Sequence, residues 1–275
     1  MTSSKIVLTE KEKVMTQDNF FKLRRFNLIM GFFHLVQGLG MLFLATIGFE
    51  RLARFTPTIT QTYQFFDVTT MSLAVATKDL FDLPFAVLVS SFLLISALAH
   101  FLIVLSKDRY TNDLKRGVNQ FRWFEYALSS SIMIVLIATL FGIYDVVTLI
   151  LIFLINASMN LFGLDMELLN AGVDKKNVNW GPFIWGSVAG LAPWIAIIMY
   201  MSGSSATLDQ IPWFVWAIVG TYFVAFNTFP INMILQYLGV GKWKDYLYGE
   251  RTYIVLSLAA KSVLAWLVLF GAMQP

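Results

Sequence analysis

Seven runs of mostly apolar residues, at about 28–49, 83–105, 120–142, 145–166, 180–202, 211–239 and 252–273, take up most of the 275-residue chain. A helix needs roughly 20 consecutive apolar residues to cross the hydrocarbon core of a bilayer. Inside that core every backbone amide must be paired within the protein, so spanning runs of this kind fold as helices. The third and fourth runs are parted only by Gly142 to Asp145. Together they are about twice one crossing, which reads as a tight helical hairpin rather than one long helix. The expected fold class is an all-α membrane protein, a seven-transmembrane-helix bundle over residues 28–273 preceded by a tail over 1–27. That tail does not read as a removable signal, because the run after it is too long for a signal core and lacks a small-residue cleavage site.

Composition narrows the function classes. Only 13% of the residues are charged, against about 25% in soluble domains, and no polar stretch is long enough to form a separate soluble domain, which argues against a soluble enzyme. The chain has no cysteine, so disulfide scaffolds, thiolate metal sites and cysteine nucleophiles are excluded together. Its two histidines are too few for a three-histidine zinc site. A net charge of +3 is too small to suggest a nucleic-acid partner. The medium this chain is built for is the lipid bilayer.

The few charges set an orientation. Lys5, Lys11, Lys13, Lys22, Arg24 and Arg25 lie in the tail, and Lys107, Arg109, Lys115 and Arg116 in the second loop. Lys175 and Lys176 lie in the fourth loop, and Lys242, Lys244 and Arg251 in the sixth. All fifteen share one side, whereas the other side has three, Arg51, Arg54 and Lys78. The positive-inside bias predicts a cytoplasmic N-terminus and an external C-terminus, in a multi-pass protein of the cell membrane.

The first external loop, about 50–82, is the one long connection. Its stretch Thr56 to Phe65 is rich in β-branched and aromatic residues in near alternation, which predicts a short β-hairpin. A two-stranded hairpin is marginal alone, so it is expected to pack on a neighbour, with a second protomer as the candidate: a homodimer formed partly through this loop.

Charged groups deep in a bilayer are costly and functional by default. Lys261 lies nine residues or more from either end of the seventh run, roughly 13 Å or more at 1.5 Å per residue, too far to snorkel to either surface. It must pair with a carboxylate or be chemically modified, and a desolvated amine is suited to condense with an aldehyde. Glu125 in the third run is the expected partner; Asp145, Asp165 and Glu167 fall at run ends where water is expected to reach them. The same counting puts His34 and His100 in the cytoplasmic half. Gln37 is three residues after His34 on the same helix face and Ser96 four before His100. These groups could converge on one polar pocket between Lys261 and the cytoplasm. Outward from Lys261, after Ser262, the seventh run is apolar to Gly271, and from Ile132 to Gly142 the third has only Thr139 as a polar residue. A proton pump needs donors and acceptors on both sides of its switch, and this arrangement is open to one side only.

The local strings narrow the reading further. Gly249-Glu250-Arg251-Thr252-Tyr253-Ile254 with Ser257-Leu258-Ala259-Ala260-Lys261-Ser262 and Leu264-Ala265-Trp266 resembles the heliorhodopsin family, as do Arg122-Trp123-Phe124-Glu125-Tyr126 with Ser129-Ser130-Ser131, and His34-Leu35-Val36-Gln37-Gly38. The resemblance covers roughly residues 20–273, and the family's inverted topology agrees with the independent count of charges. It implies all-trans retinal held by Lys261 as a protonated Schiff base with Glu125 as counterion. Ser257, Ser96 and Ser129 match serines near that nitrogen. His34 and His100 match histidines associated with transient proton acceptance and a water network, with which Gln37, Tyr126 and Trp266 are grouped. Asn156, Met159 and Gly163 match positions along the polyene and ring, and Phe226 stands where other microbial rhodopsins have a tryptophan.

The expectation is a light-sensing photoreceptor, not an enzyme, that moves a proton to a cytoplasmic-side pocket without net pumping and signals to a cytoplasmic partner. Two alternatives stay open at this point: a light-gated proton or ion conductor, and a retinal-independent transporter using Lys261 and Glu125 as an ion-coupled pair.

Overall fold

The computed structural model describes residues 10–48, 56–203 and 211–272. Helix α1 (Glu10–Phe43) continues into a π-helical turn at Leu44–Gly48. Strands β1 (Thr58–Asp67) and β2 (Ser72–Asp82) follow, then α2 (Phe85–Leu105), a short α3 (Lys107–Lys115), α4 (Gln120–Leu140), α5 (Val146–Leu169), α6 (Gly181–Gly203), α7 (Trp213–Leu238) and α8 (Tyr246–Ala272). Seven of the helices, all but α3, are long and apolar enough to cross a membrane.

Helix boundaries follow local chemistry. The Asn119 side chain accepts the Arg122 amide at 3.1 Å and starts α4. Asp145 caps α5 by accepting the Thr148 amide at 3.0 Å, so the four residues between the third and fourth runs do make a tight turn. Helix α7 ends at Gly239, whose φ of 64° is a left-handed conformation that glycine adopts without the Cβ penalty.

Helix α1 begins earlier than the apolar run that announced it. Phe20, Leu23 and Asn27 recur on one face of a 3.6-residue helix, and Phe20 and Leu23 pack with Ile103, Tyr110, Leu114 and Ile254. The last part of the predicted tail is therefore a turn-by-turn extension of the first span, held by α3, which the apolar pattern did not reveal. Of the charged residues used for the orientation, Lys5, Arg51 and Arg54 lie outside the described residues.

Around the bundle α1 packs on α2, α2 on α4, α4 on α5, α5 on α6 and α7 on α8, and α8 closes against α1 and α2. The hairpin is antiparallel from Thr58↔Asp82 to Asp67↔Ser72, with an irregularity at Ile59/Thr60. It is anchored at its base. Ile59 is buried in the core, the Thr60 amide donates to the Tyr144 carbonyl at 2.9 Å, and the Thr62 amide donates to Asp145 Oδ1 at 3.2 Å. Toward the tip Tyr63, Phe65, Phe66, Leu73 and Val75 are exposed.

The core differs between the two halves. On the hairpin side it is one apolar cluster, including Phe92, Leu93, Ile134, Ile137, Leu264 and Val268. On the N-terminal side it splits into two, one around Trp123, Met233 and Tyr253 and one around Tyr110, Ile103 and Ile254. Buried polar side chains, among them Asn27, His100, Asn119, Arg122 and Glu250, occupy that half. Buried polar groups persist only when paired, and their pairing defines the site.

Candidate functional site

Lys261 is placed by α8, Glu125 by α4 and Ser96 by α2. Lys261 Nζ donates to Glu125 Oε1 at 2.5 Å, to Ser96 Oγ at 2.7 Å and to Ser257 Oγ at 3.1 Å. Ser257 is one turn before the lysine on the same face. The Ser96 hydroxyl donates in turn to Glu125 Oε1 at 2.6 Å. The two ionisable side chains are 5% and 6% exposed, so each is compensated almost wholly by the other and by these hydroxyls. Ser129 is buried beside Glu125. The Tyr126 ring lies 5.2 Å from the amine, and its hydroxyl donates to the Tyr253 carbonyl at 3.1 Å.

The two histidines meet as expected. Their rings stack with centroids 5.4 Å apart and planes 19° apart. The Asn27 amide nitrogen donates to the Leu23 carbonyl at 3.0 Å and to the Tyr110 hydroxyl at 3.3 Å. That commits Asn27 Oδ1 as the acceptor facing His100 Nδ1 at 2.8 Å. His100 therefore carries its proton on Nδ1 when neutral and keeps Nε2 as a base. Both ring nitrogens of His34 are buried without a hydrogen-bond partner.

A second buried ionic group was missed by the sequence. The Arg122 guanidinium bridges Glu167 and Glu250, all three side chains being 4% exposed or less. Asn119 Nδ2 and the Tyr110 hydroxyl donate to Glu250 at 2.5 and 3.3 Å. Trp123 Nε1, the Asn119 amide and the Tyr246 hydroxyl donate to Glu167 at 2.7, 2.8 and 3.2 Å. The expectation that water reaches Glu167 is thus corrected: Asn119, Arg122 and Trp123 at the start of α4 and Tyr246 at the start of α8 cover its carboxylate. A cavity of about 30 Å³ touches Ser96, His100, Arg122, Glu125, Glu250 and Ser257. It joins the Lys261 group to this cluster and has room for a water molecule.

Two other expected residues are not in the polar pocket. Trp266 Nε1 donates to Gln37 Oε1 at 3.1 Å, and both lie about one turn toward the hairpin side from Lys261 and His34. Gln37 and Trp266 therefore pair with each other outside the histidine group. Asn156 donates to Ser130 and Ser131 at 2.9 and 3.0 Å and stands behind the wall of the large cavity rather than on it. Its neighbour one turn on, Asn160, lines that cavity. The Asn156/Asn160 spacing of four was the available signal.

That cavity, about 270 Å³, begins at Lys261 and runs between α4, α5, α6 and α7. Tyr126, Met133, Met159, Gly163, Tyr222 and Phe226 are among its walls, so three of the four residues expected along a chromophore do border it. Its shape depends on glycines. A Cβ on Gly190 would fall 2.7 Å from Met159 Sδ and 3.3 Å from Phe226 Cζ, and one on Gly163 would enter the Trp123 ring. Both lie within the distance that a real Cβ keeps from its neighbours.

The sequence matches the heliorhodopsin family over residues 23–273. The chain belongs to the heliorhodopsin family. No curated protein matches it. As a heliorhodopsin it is a multi-pass, retinal-binding, light-sensing rhodopsin, and the family implies a retinal chromophore on a lysine. The residues present fit that group. This heliorhodopsin has one lysine in its spans below the charged ends, that lysine opens into an apolar aromatic cavity, and the glycines that keep the cavity clear are where a side chain would fill it. An aldehyde on a long apolar chain is the chemistry that such a donor set and trough accept.

Proposed function

We propose that this heliorhodopsin is a sensory photoreceptor that holds all-trans retinal covalently at the Lys261 nitrogen, uses Glu125 as counterion, and converts light into a shape change without net ion transport. The observation that carries this reading is the buried amine 2.5 Å from the Glu125 carboxylate at the mouth of an apolar cavity. Bound there, retinal supplies visible absorption and a light-driven change of shape. Glu125 favours the charged form of the Lys261 nitrogen, while Ser96 and Ser257 fix the direction of its N–H.

When that N–H turns from Glu125, the bases available are on the N-terminal side. His100 offers Nε2, and His34, stacked on it, offers two ring nitrogens without a hydrogen-bond partner. From His100 hydrogen bonds run through Asn27 and Tyr110 to Glu250. A proton accepted along this chain alters the charge balance around Arg122, which ties α4 to α5 and α8. The hairpin-side core is apolar, and α8 carries no charged residue after Lys261. A proton retained on one side changes helix packing, which is a signal rather than a current.

The Lys and Arg asymmetry supports a cytoplasmic N-terminus and an external hairpin in the cell membrane, with a cytoplasmic signalling partner facing the Arg122 side. Exposed Phe65, Phe66, Leu73 and Val75 on the hairpin support a homodimer closed partly through this loop. The test is to express the chain with retinal and record its spectrum, light-driven external pH and voltage-clamp photocurrents together. A visible band with no sustained pH change and no current is expected; sustained acidification or photocurrent would replace the sensor with a pump or a conductor.

A further inference from the structure

A third cavity lies on the outer surface of the bundle. It is a groove of about 320 Å³ between α2 and α4, with Ile95, Leu98, Leu102 and Phe124 on its sides. Leu98, Leu102 and Phe124 are 58%, 42% and 57% exposed, and both helices are membrane spans, so the groove faces hydrocarbon. Glu125 is also one of its walls. At the N-terminal-side end stand Arg109 and Gln120. The Arg109 guanidinium lies 5.5 Å from the Phe121 ring centroid and donates to Gln120 Oε1 at 3.3 Å. It has no carboxylate partner among the described salt bridges.

A slot with apolar sides, an open lateral face and an arginine at the interfacial end matches one occupant in shape and charge. We infer that the groove between α2 and α4 binds one anionic glycerophospholipid, an acyl chain lying along Leu98, Leu102 and Phe124 and its phosphate held by Arg109. Arginine is suited to this, since its planar fork offers two parallel donors to phosphate oxygens. A zwitterionic lipid would bring its own cation to the same end. The chain methylenes separate Glu125 from the bilayer and from any water entering along the helix, and exclusion of water strengthens the attraction between Glu125 and the Lys261 nitrogen. The anionic lipid thereby tunes the counterion, a consequence that rests on the role proposed for Glu125, whereas the binding itself does not.

Native mass spectrometry of the retinal-loaded protein, released from nanodiscs containing equal phosphatidylglycerol and phosphatidylcholine, tests the binding. One retained phosphatidylglycerol per chain is expected. Removing the charged fork in Arg109→Gln should weaken retention about tenfold, the effect of one lost charge-assisted hydrogen bond. Ala99→Phe, which fills the groove from α2, should displace the lipid with Arg109 in place. Equal retention of the two lipids, or retention unchanged in Arg109→Gln, would overturn the site. Separately, the pH at which the visible band of the wild type shifts should differ between nanodiscs of the two lipids, and this difference should vanish in Arg109→Gln. Retention with no spectral difference would keep the lipid site and remove Glu125 from its reach.

Discussion

Lys261 Nζ and Glu125 Oε1 face each other at 2.5 Å across the α8/α4 contact, and Ser96 bonds to both. Two charges withdrawn from water in this way hold each other in their ionised forms. Glu125→Gln should therefore give a red-shifted or unprotonated pigment when loaded with retinal. Absorption spectra across pH check this, and a variant whose spectrum and photocycle match the wild type would remove Glu125 as counterion.

Gly163 and Gly190 keep the large cavity open against Trp123, Met159 and Phe226. Gly190→Val should lower the yield of visible pigment per chain severalfold and cost about 1–3 kcal/mol of overpacking. Gly163→Ala should do the same, and Trp123→Phe in the same chain should recover part of the yield by withdrawing the ring that the new methyl meets. Pigment yield against total protein, with a thermal melt as control, measures both.

His34 and His100 stack with a free Nε2 on His100 and two unengaged nitrogens on His34. If they accept the proton, His100→Phe should slow or abolish its transfer from the Lys261 nitrogen while leaving the dark spectrum near that of the wild type. Time-resolved absorption reads the transfer, and kinetics unaltered in both His34→Phe and His100→Phe would move the acceptor elsewhere, to Glu250 first.

Arg122 is the only cation touching two buried carboxylates among the described residues. Arg122→Gln strands both and should cost about 3–5 kcal/mol, the usual effect of breaking a buried pair. Adding Glu250→Gln should restore part of the loss, because one stranded charge is removed. Arg122→Lys should not rescue fully, since a point charge cannot address both acids in the geometry of the guanidinium fork. Melting temperatures of the four proteins decide this.

Asp145 links the hairpin to α5. The Thr148 amide, and after it the Thr62 amide, holds its carboxyl below the usual carboxylate range. The folded form is thus the stronger acid. The stabilisation is fully present above the ordinary carboxylate pKa of about 4 and is lost as pH falls through the lower folded value. Asp145→Ala should cost about 0.5–2 kcal/mol, as loss of an N-cap does, and its melt should converge with that of the wild type in acid.

What could be read from the sequence depended on contrast. Lys261 and Glu125 stand out because each interrupts an apolar run; counting residues from the span ends put Lys261 deep in its span, and Glu125 was the expected partner because the other candidate carboxylates fall at span ends. The same counting failed for Glu167 and gave no role to Arg122 and Glu250. Near the end of a span, sequence distance does not distinguish a side chain in water from one covered, as Glu167 is, by Asn119, Trp123 and Tyr246. His34 and His100 were legible as a pair because the charge count assigns a side to each end of their spans, but Gln37 was drawn into that group by helix-face arithmetic that ignores depth, and Trp266 by the family resemblance alone. Of the hairpin, the β1 stretch was visible in its alternation. Strand β2, with Lys78, Asp79 and Asp82 among its eleven residues, is too polar to be read that way, and its register is set by pairing rather than by pattern.

A covalent bond between retinal and Lys261 underlies the proposed photoreceptor. Reducing the illuminated and dark pigment with borohydride, digesting it and weighing the peptides tests this most directly. A retinyl mass increment is expected on the peptide containing Lys261 and on no other, with no visible band in Lys261→Ala. An increment on another lysine, or a coloured Lys261→Ala protein, would contradict it.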